Sequence, residues 1–184
     1  MTKVFIISGH SGAGKTTIVY ELLKQMPIIE KVITCTTRKP RKGEVNGKDY
    51  RFVSKKQFEK WIKENALNEF EQYASNYYGS LKEDVEKIFY LGKVPLFVVE
   101  TKGATKLKRK FKKAVLIFIK APSLIELASR LEARGETKKL VKKRLDEIED
   151  ELIREKNFDY IVVNDVLETA IKETKEIIES ELGI

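Results

Sequence analysis

The sequence holds one cysteine, Cys35, so no disulfide can form within the chain. It lacks any apolar run close to the roughly 20 residues that a membrane-spanning helix requires. The opening stretch from Met1 to Ile7 is too short for the apolar core of a secretory signal, and it leads directly into a glycine-rich segment. Internal repeats and low-complexity tracts are missing as well. Together these absences predict a soluble, cytoplasmic protein.

What the sequence has in abundance is charge. Lysine and arginine number 36 against 28 acidic residues, a net charge of +8 over 184 residues. A basic balance points to anionic partners: nucleic acid, an acidic membrane or phosphorylated small molecules. The densest basic stretch, Lys106 to Lys113, reads as a solvated helix end rather than a nucleic-acid surface. Hydrophobic residues make up 42%, enough for a real core. The length suits one domain with a small inserted lobe.

Short β-branched runs alternate with helical patterns. Val4–Ile7, Pro95–Val99, Val115–Ile119 and Tyr160–Val163 predict strands buried on both faces, the mark of a parallel sheet. Helical periodicity is predicted from about Thr16 to Met26 and from about Glu83 to Tyr90. A long helix is expected to carry Leu140, Leu145, Ile148 and Leu152 on one face. A last one, from Leu167, places Ala170, Ile171, Thr174, Ile177 and Ile178 together. The stretch from Thr34 to Ser80 breaks this rhythm with turn residues and clustered aromatics, and predicts an inserted lobe. A second, charged insertion is expected around Arg134 to Lys139.

Gly9-His10-Ser11-Gly12-Ala13-Gly14-Lys15-Thr16 matches the pattern G-x-x-x-x-G-K-[ST] of a P-loop. It follows a strand-like run and opens a helix pattern, which is the context the chemistry needs. Its glycines let backbone N–H groups turn inward on phosphates, and the helix adds its positive end. Lys15 supplies a mobile point charge, and the Thr16 hydroxyl can ligate Mg²⁺, a hard ion that favours oxygen. Thr17 extends this ATP-binding segment. His10, the only histidine, is expected to offer phosphate its backbone rather than its ring.

A phosphotransferase needs a second phosphate site. In the inserted lobe, Arg38 and Arg41 stand three apart with Pro40 setting the turn between them. Paired guanidiniums bind phosphate in a bidentate manner that lysine cannot match. Tyr50 and Tyr78 can complete such a cradle with their hydroxyls.

The segment Thr36-Thr37-Arg38-Lys39-Pro40-Arg41-Lys42-Gly43-Glu44-Val45-Asn46-Gly47-Lys48-Asp49-Tyr50-Arg51-Phe52-Val53-Ser54 resembles the signature of the guanylate kinases. So do Asn76-Tyr77-Tyr78-Gly79-Ser80, Ala121-Pro122-Ser123 with Arg130 through Gly135, and Val163-Asn164-Asp165. The resemblance runs in order along nearly the whole chain. It implies an α/β fold: a parallel-sheet P-loop core over about 1–33 and 82–184, a mixed acceptor lobe over about 34–81, and a lid over about 124–150. It implies transfer of phosphate from ATP to GMP with Mg²⁺. Arg38, Arg41, Tyr50 and Tyr78 would then hold the GMP phosphate. Thr34, Glu69, Ser80 and Glu100 would face the guanine. Arg130, Arg134 and Arg144 would close over the ATP phosphates, and Asn164 would lie near the adenine.

One stretch departs from the family pattern. Val98-Val99-Glu100 stands where the family usually has Asp-x-Asp, so one acid is gone and the other is longer by a methylene. That departure leaves room for a kinase of another small phosphorylated acceptor. A non-catalytic scaffold module of the same fold is disfavoured, because Lys15 and Thr16 are both present.

Overall fold

A computed structural model describes residues 3–41, 43–73, 75–146, 148 and 154–184. Its centre is a parallel sheet of β1 (Phe5–Gly9), β2 (Ile29–Lys31), β7 (Val94–Val98), β8 (Val115–Lys120) and β9 (Tyr160–Val163), in the order β2-β7-β1-β8-β9. Every pairing in it is parallel. The four strands expected from sequence lie within two residues of their observed bounds.

Parallel strands need crossover helices, and these bury both sheet faces. Side chains alternate across the sheet, so Phe5 and Ile7 face one way while Val4 and Ile6 face the other. The first pair packs with Ile18, Val19 and Leu22 of α1 (Lys15–Gln25) and with Ala170, Ile171 and Ile178 of α7 (Leu167–Leu182). The second packs with Val85 and Ile88 of α3 (Lys82–Tyr90) and with Ala104 and Leu107 of α4 (Thr101–Lys110). Phe5, Ile6 and Ile7 have no exposed surface at all. That is why a run of consecutive apolar residues, rather than alternation, marks this strand.

The chain leaves this sheet after β2 and builds a second one. It contains β3 (Cys35–Thr36), β4 (Arg51–Phe52), β5 (Leu67–Tyr73) and β6 (Asn76–Leu81), in the order β4-β3-β6-β5. The β3–β4 pair is parallel and the others antiparallel. Helix α2 (Lys55–Lys63) starts at Ser54, whose hydroxyl accepts from the Gln57 N–H. It buries Phe58 in a small core with Cys35, Leu67 and Leu81, and the Phe58 ring stacks on Tyr77 at 5.2 Å. The Cys35 thiol is free and buried.

Two helices, α5 (Leu124–Ala133) and α6 (Lys138–Asp146), follow β8. The charged insertion expected at 134–139 is only a turn at 134–137 between them, with Gly135 at φ +83°. The expected apolar face of the long helix is also corrected. Leu140 is exposed, whereas Val141 is buried with Ile148, Leu127 and Leu131, and Leu145 packs beside them. The buried stripe runs 141, 145, 148 at helical spacing, which turns residue 140 outward. Leu152 lies outside the described residues. Among the described residues no helix is long and apolar enough to cross a membrane.

Candidate active site

A cavity of about 500 Å³ opens between the C-terminal end of the parallel sheet and the second sheet. That is the size of a typical small-molecule site. The phosphate loop forms one wall, with Gly12, Gly14, Lys15 and Thr16 lining it. The loop is fixed by contacts that leave no room for side chains. A Cβ on Gly9, at φ +138°, would stand 1.8 Å from the Ile119 carbonyl oxygen. One on Gly14, at φ +93°, would stand 2.3 Å from Asn164 Nδ2. Helix α1 begins at Lys15 with no acidic residue in its first turn and no side-chain cap. Its leading N–H groups and positive dipole end therefore remain available to an anion.

The Lys15 ammonium is not a solvated arm. It donates to the carbonyls of Gly9 at 2.5 Å and His10 at 2.9 Å, so it closes the loop on itself. This corrects the picture of a mobile charge: a phosphate must compete with these carbonyls. His10 packs its ring edge-on against Phe118 at 5.2 Å. Burial, with help from the Lys15 and Lys120 charges and against that of Glu155, lowers its pKa to about 4. The imidazole is thus neutral at pH 7 and is anchored against the core.

The opposite wall comes from the second sheet. Arg38, Arg41, Tyr50 and Tyr78 all line the cavity. Arg38 is bound through Nη1 and Nη2 to both oxygens of Glu44, at 2.9 and 2.8 Å. Its guanidinium also lies over the Tyr50 ring at 5.3 Å. Glu44 further accepts from the Arg41 N–H at 2.7 Å, so one carboxylate sets the spacing of both arginines. The Arg38 guanidinium, aided by that N–H, holds the Glu44 carboxyl below its usual pKa. Sequence reasoning passed over Glu44, whose i to i+6 bond to Arg38 only the folded turn reveals.

Deeper in, Glu69 of β5 is 7% exposed and its Oε1 accepts from the Ser80 hydroxyl at 2.9 Å. Burial pushes its pKa up to about 7, against the pull of the Ser80 bond. Thr34, Val98 and Glu100 line the cavity as well. Glu100 is the N-cap residue of α4.

Arg134, at the C-terminal end of α5, and Arg144 of α6 line the cavity. Arg144 bridges two elements, donating from Nε to Glu136 and from Nη1 to the Ser11 hydroxyl of the phosphate loop, each at 2.7 Å. Arg130 and Asn164 do not line the cavity. Arg130 donates to Glu126 at 2.8 Å and to the Asn164 carbonyl at 3.0 Å. The Asn164 amide donates to the Ala13 carbonyl at 2.8 Å, so it braces the loop backbone instead of standing open to a base. Gly9, Ala13, Thr17 and Ser80 also lie outside the cavity wall, while Arg154 joins it unforeseen. Arg154 sits in a charge-rich stretch where no local signal separates it from its neighbours.

A phosphate-binding loop at the C-terminal end of a parallel sheet, facing a pair of arginines across one cavity, defines a P-loop phosphotransferase. Comparison with known proteins carries this further. The guanylate kinase family model matches residues 1–181. A guanylate kinase of Rubrobacter xylanophilus is 41% identical over 176 residues, covering 95% of this chain and 92% of that protein. One from Synechocystis is 40% identical, covering 97% and 94%. The crystal structure of guanylate kinase from Anaplasma phagocytophilum superposes with a TM-score of 0.79 at 28% identity, covering 98% of this chain and 86% of that one. The chain belongs to the guanylate kinase family.

Proposed function

We propose that this protein transfers the γ-phosphoryl group of ATP to the phosphate of GMP, giving ADP and GDP. The observation that carries the acceptor is the buried Glu69, which lines the same cavity as the phosphate loop and is held from behind by the Ser80 hydroxyl. A carboxylate there accepts from the N1–H and N2–H₂ donors of guanine. Adenine presents an unprotonated N1 at the same place, so the carboxylate would face an acceptor.

The transfer needs in-line positioning and neutralisation of charge on the moving group, with no covalent intermediate. The N–H groups of the loop and of the start of α1, with Lys15, hold the β and γ phosphates of ATP. Arg38, Arg41, Tyr50 and Tyr78 hold the GMP phosphate, with Thr34, Glu100 and the Glu69–Ser80 pair toward the base. Arg134 and Arg144 close over the transferring group and exclude water. Arg130 and Asn164 serve from behind by bracing the lid and the loop.

Among the described residues no cluster of three or more His, Cys, Asp or Glu could hold a metal. That suits Mg²⁺, which keeps most of its waters and is carried on substrate phosphates with one or two protein oxygens. The Thr16 hydroxyl, exposed on the cavity wall, would be such a ligand. When bound, Mg²⁺ supplies charge neutralisation on the phosphates.

A coupled ADP-release assay across AMP, GMP, CMP, UMP and dGMP tests the reading. Turnover confined to guanine nucleotides is expected, and comparable turnover with AMP would overturn it. The two phosphate sites are separable by mutation. In Arg41→Met the KM for GMP should rise at least about tenfold through loss of a charged hydrogen bond, while the KM for ATP changes little. Equal effects on both would remove Arg41 from the acceptor site.

A further inference from the structure

Glu69 and Glu71 stand two residues apart on β5, and both line the cavity. Positions i and i+2 of a strand share a face, so two carboxylates point toward one site. The Glu71 charge raises the proton affinity of Glu69. The counter-charge comes from outside the lobe. Lys106 of α4 pairs with Glu71 at 2.8 Å and donates to the Phe70 carbonyl at 2.8 Å. Its ammonium also lies over the Phe70 ring at 5.5 Å. One turn along, Lys110 donates to Asn68 Oδ1 at 2.6 Å. One turn back, Gly103 brings α4 so close that a Cβ there would stand 3.5 Å from Glu69 Oε2. Residues 103, 106 and 110 share one helix face. That face lies along β5, the edge strand of the lobe sheet.

We propose that Lys106 is a positioning and charge-balancing residue for acceptor recognition: by gripping Phe70 and neutralising Glu71, it keeps Glu69 in place and anionic for the base. The inference rests on the GMP reading above. A GMP-binding carboxylate must be both desolvated and ionised, and these demands conflict. Burial is the largest influence on Glu69 and favours the proton, with the Glu71 charge acting in the same sense. The Ser80 hydroxyl of β6 and Lys106 of α4 oppose it. Among the described residues, Lys110 of α4 and Cys35 of β3 also feel the Glu69 charge, and burial pushes the Cys35 thiol to about 12, which keeps it neutral. Glu100, at the α4 N-cap, faces the same cavity. Lys106 is the cation on this list that directly contacts the strand bearing both carboxylates at its backbone and at Glu71. Its removal would leave Glu71 uncompensated beside Glu69.

The test is GMP affinity by calorimetry between about pH 6 and about pH 8.5, below the titration of guanine itself. The titration of the GMP phosphate is common to all variants and cancels in the comparison. In Lys106→Met the acid-side midpoint of GMP binding should rise by about one pH unit. Kd for GMP would then be about tenfold weaker than wild type near pH 6.5 and within about twofold near pH 8.5. Lys106→Arg should restore the wild-type midpoint. Glu71→Gln should shift the midpoint the other way, and the double variant Lys106→Met with Glu71→Gln should return toward wild type. Kd for ATP should not follow these shifts. A GMP-binding wild type whose midpoint is unmoved in Lys106→Met, or a weakening equal at all pH values, overturns the inference alone. A wild type that binds no GMP at any pH overturns the acceptor reading and the inference with it.

Discussion

Lys15→Ala is expected to lower kcat at least about a hundredfold, or about 2.7 kcal/mol of transition-state stabilisation. In the proposed transfer the Lys15 ammonium, at the start of α1, meets the charge that collects on the transferring phosphoryl group. No second cation occupies that place in the loop, whose other residues are Gly, His, Ser, Ala and Thr. The side chain also ties together the Gly9 and His10 carbonyls. Its loss should therefore cost a modest part of the stability, roughly 1–3 kcal/mol for two bonds. Turnover at saturating ATP and GMP, measured well below the unfolding midpoint of the variant, separates the two effects. Near-normal turnover would show that Lys15 does not touch the developing charge.

The second large effect concerns the acceptor base. GMP should be preferred over AMP by at least about a thousandfold in kcat/KM, because a buried carboxylate left facing an acceptor is penalised far more than a lost apolar contact. Glu69→Gln should lower kcat/KM for GMP by about tenfold to a hundredfold, the worth of a charged hydrogen bond of roughly 1.5–3 kcal/mol. AMP use should change much less, so the ratio collapses from one side. Stability provides an independent readout. The folded pKa of Glu69, about 7, lies above its ordinary value of 4.5. The folded state thus binds the proton more tightly than the unfolded state, and stability falls as pH rises through that window. Glu69→Gln should abolish this loss, leaving the variant at least as heat-stable as wild type near pH 8. A less stable variant with an unchanged GMP to AMP ratio would make Glu69 a structural residue.

The same pair of residues shows what a sequence can and cannot say. Glu69 and Ser80 are named by their place in a family pattern. Nothing in the residues around them shows that β5 and β6 are antiparallel partners placing the two opposite each other, as they are. The hairpin was hidden because Glu69, Glu71 and Gln72 are polar residues facing a cavity. A strand lining a polar site loses the alternation that marks a strand lining a core. Helix α4 was hidden for a related reason. Its buried residues are Thr101, Gly103, Ala104 and Leu107, and its remaining positions are mostly basic. The basic stretch is the exposed end of that helix, as expected, and from there Lys106 and Lys110 also reach the neighbouring sheet.

The sequence by itself determined the features that depend on adjacent residues. Eight consecutive residues specify the phosphate loop, because its shape follows from local backbone freedom at glycines and from the helix they open. Four apolar runs specify the strands: β1, β7 and β8 are buried on both faces, as expected, whereas β9 lies at the sheet edge and buries Val162 while Ile161 and Val163 stand exposed. The tertiary structure alone decided which distant groups meet. Arg144 reaches Ser11 across 133 positions of chain, and Asn164 reaches Ala13 across 151. Lys106 meets Glu71 from a different layer of the molecule. Such contacts carry no local signal, since each partner alone is an ordinary polar residue. Their energy exists only once the sheet order has brought the two chain segments within a few ångströms of each other.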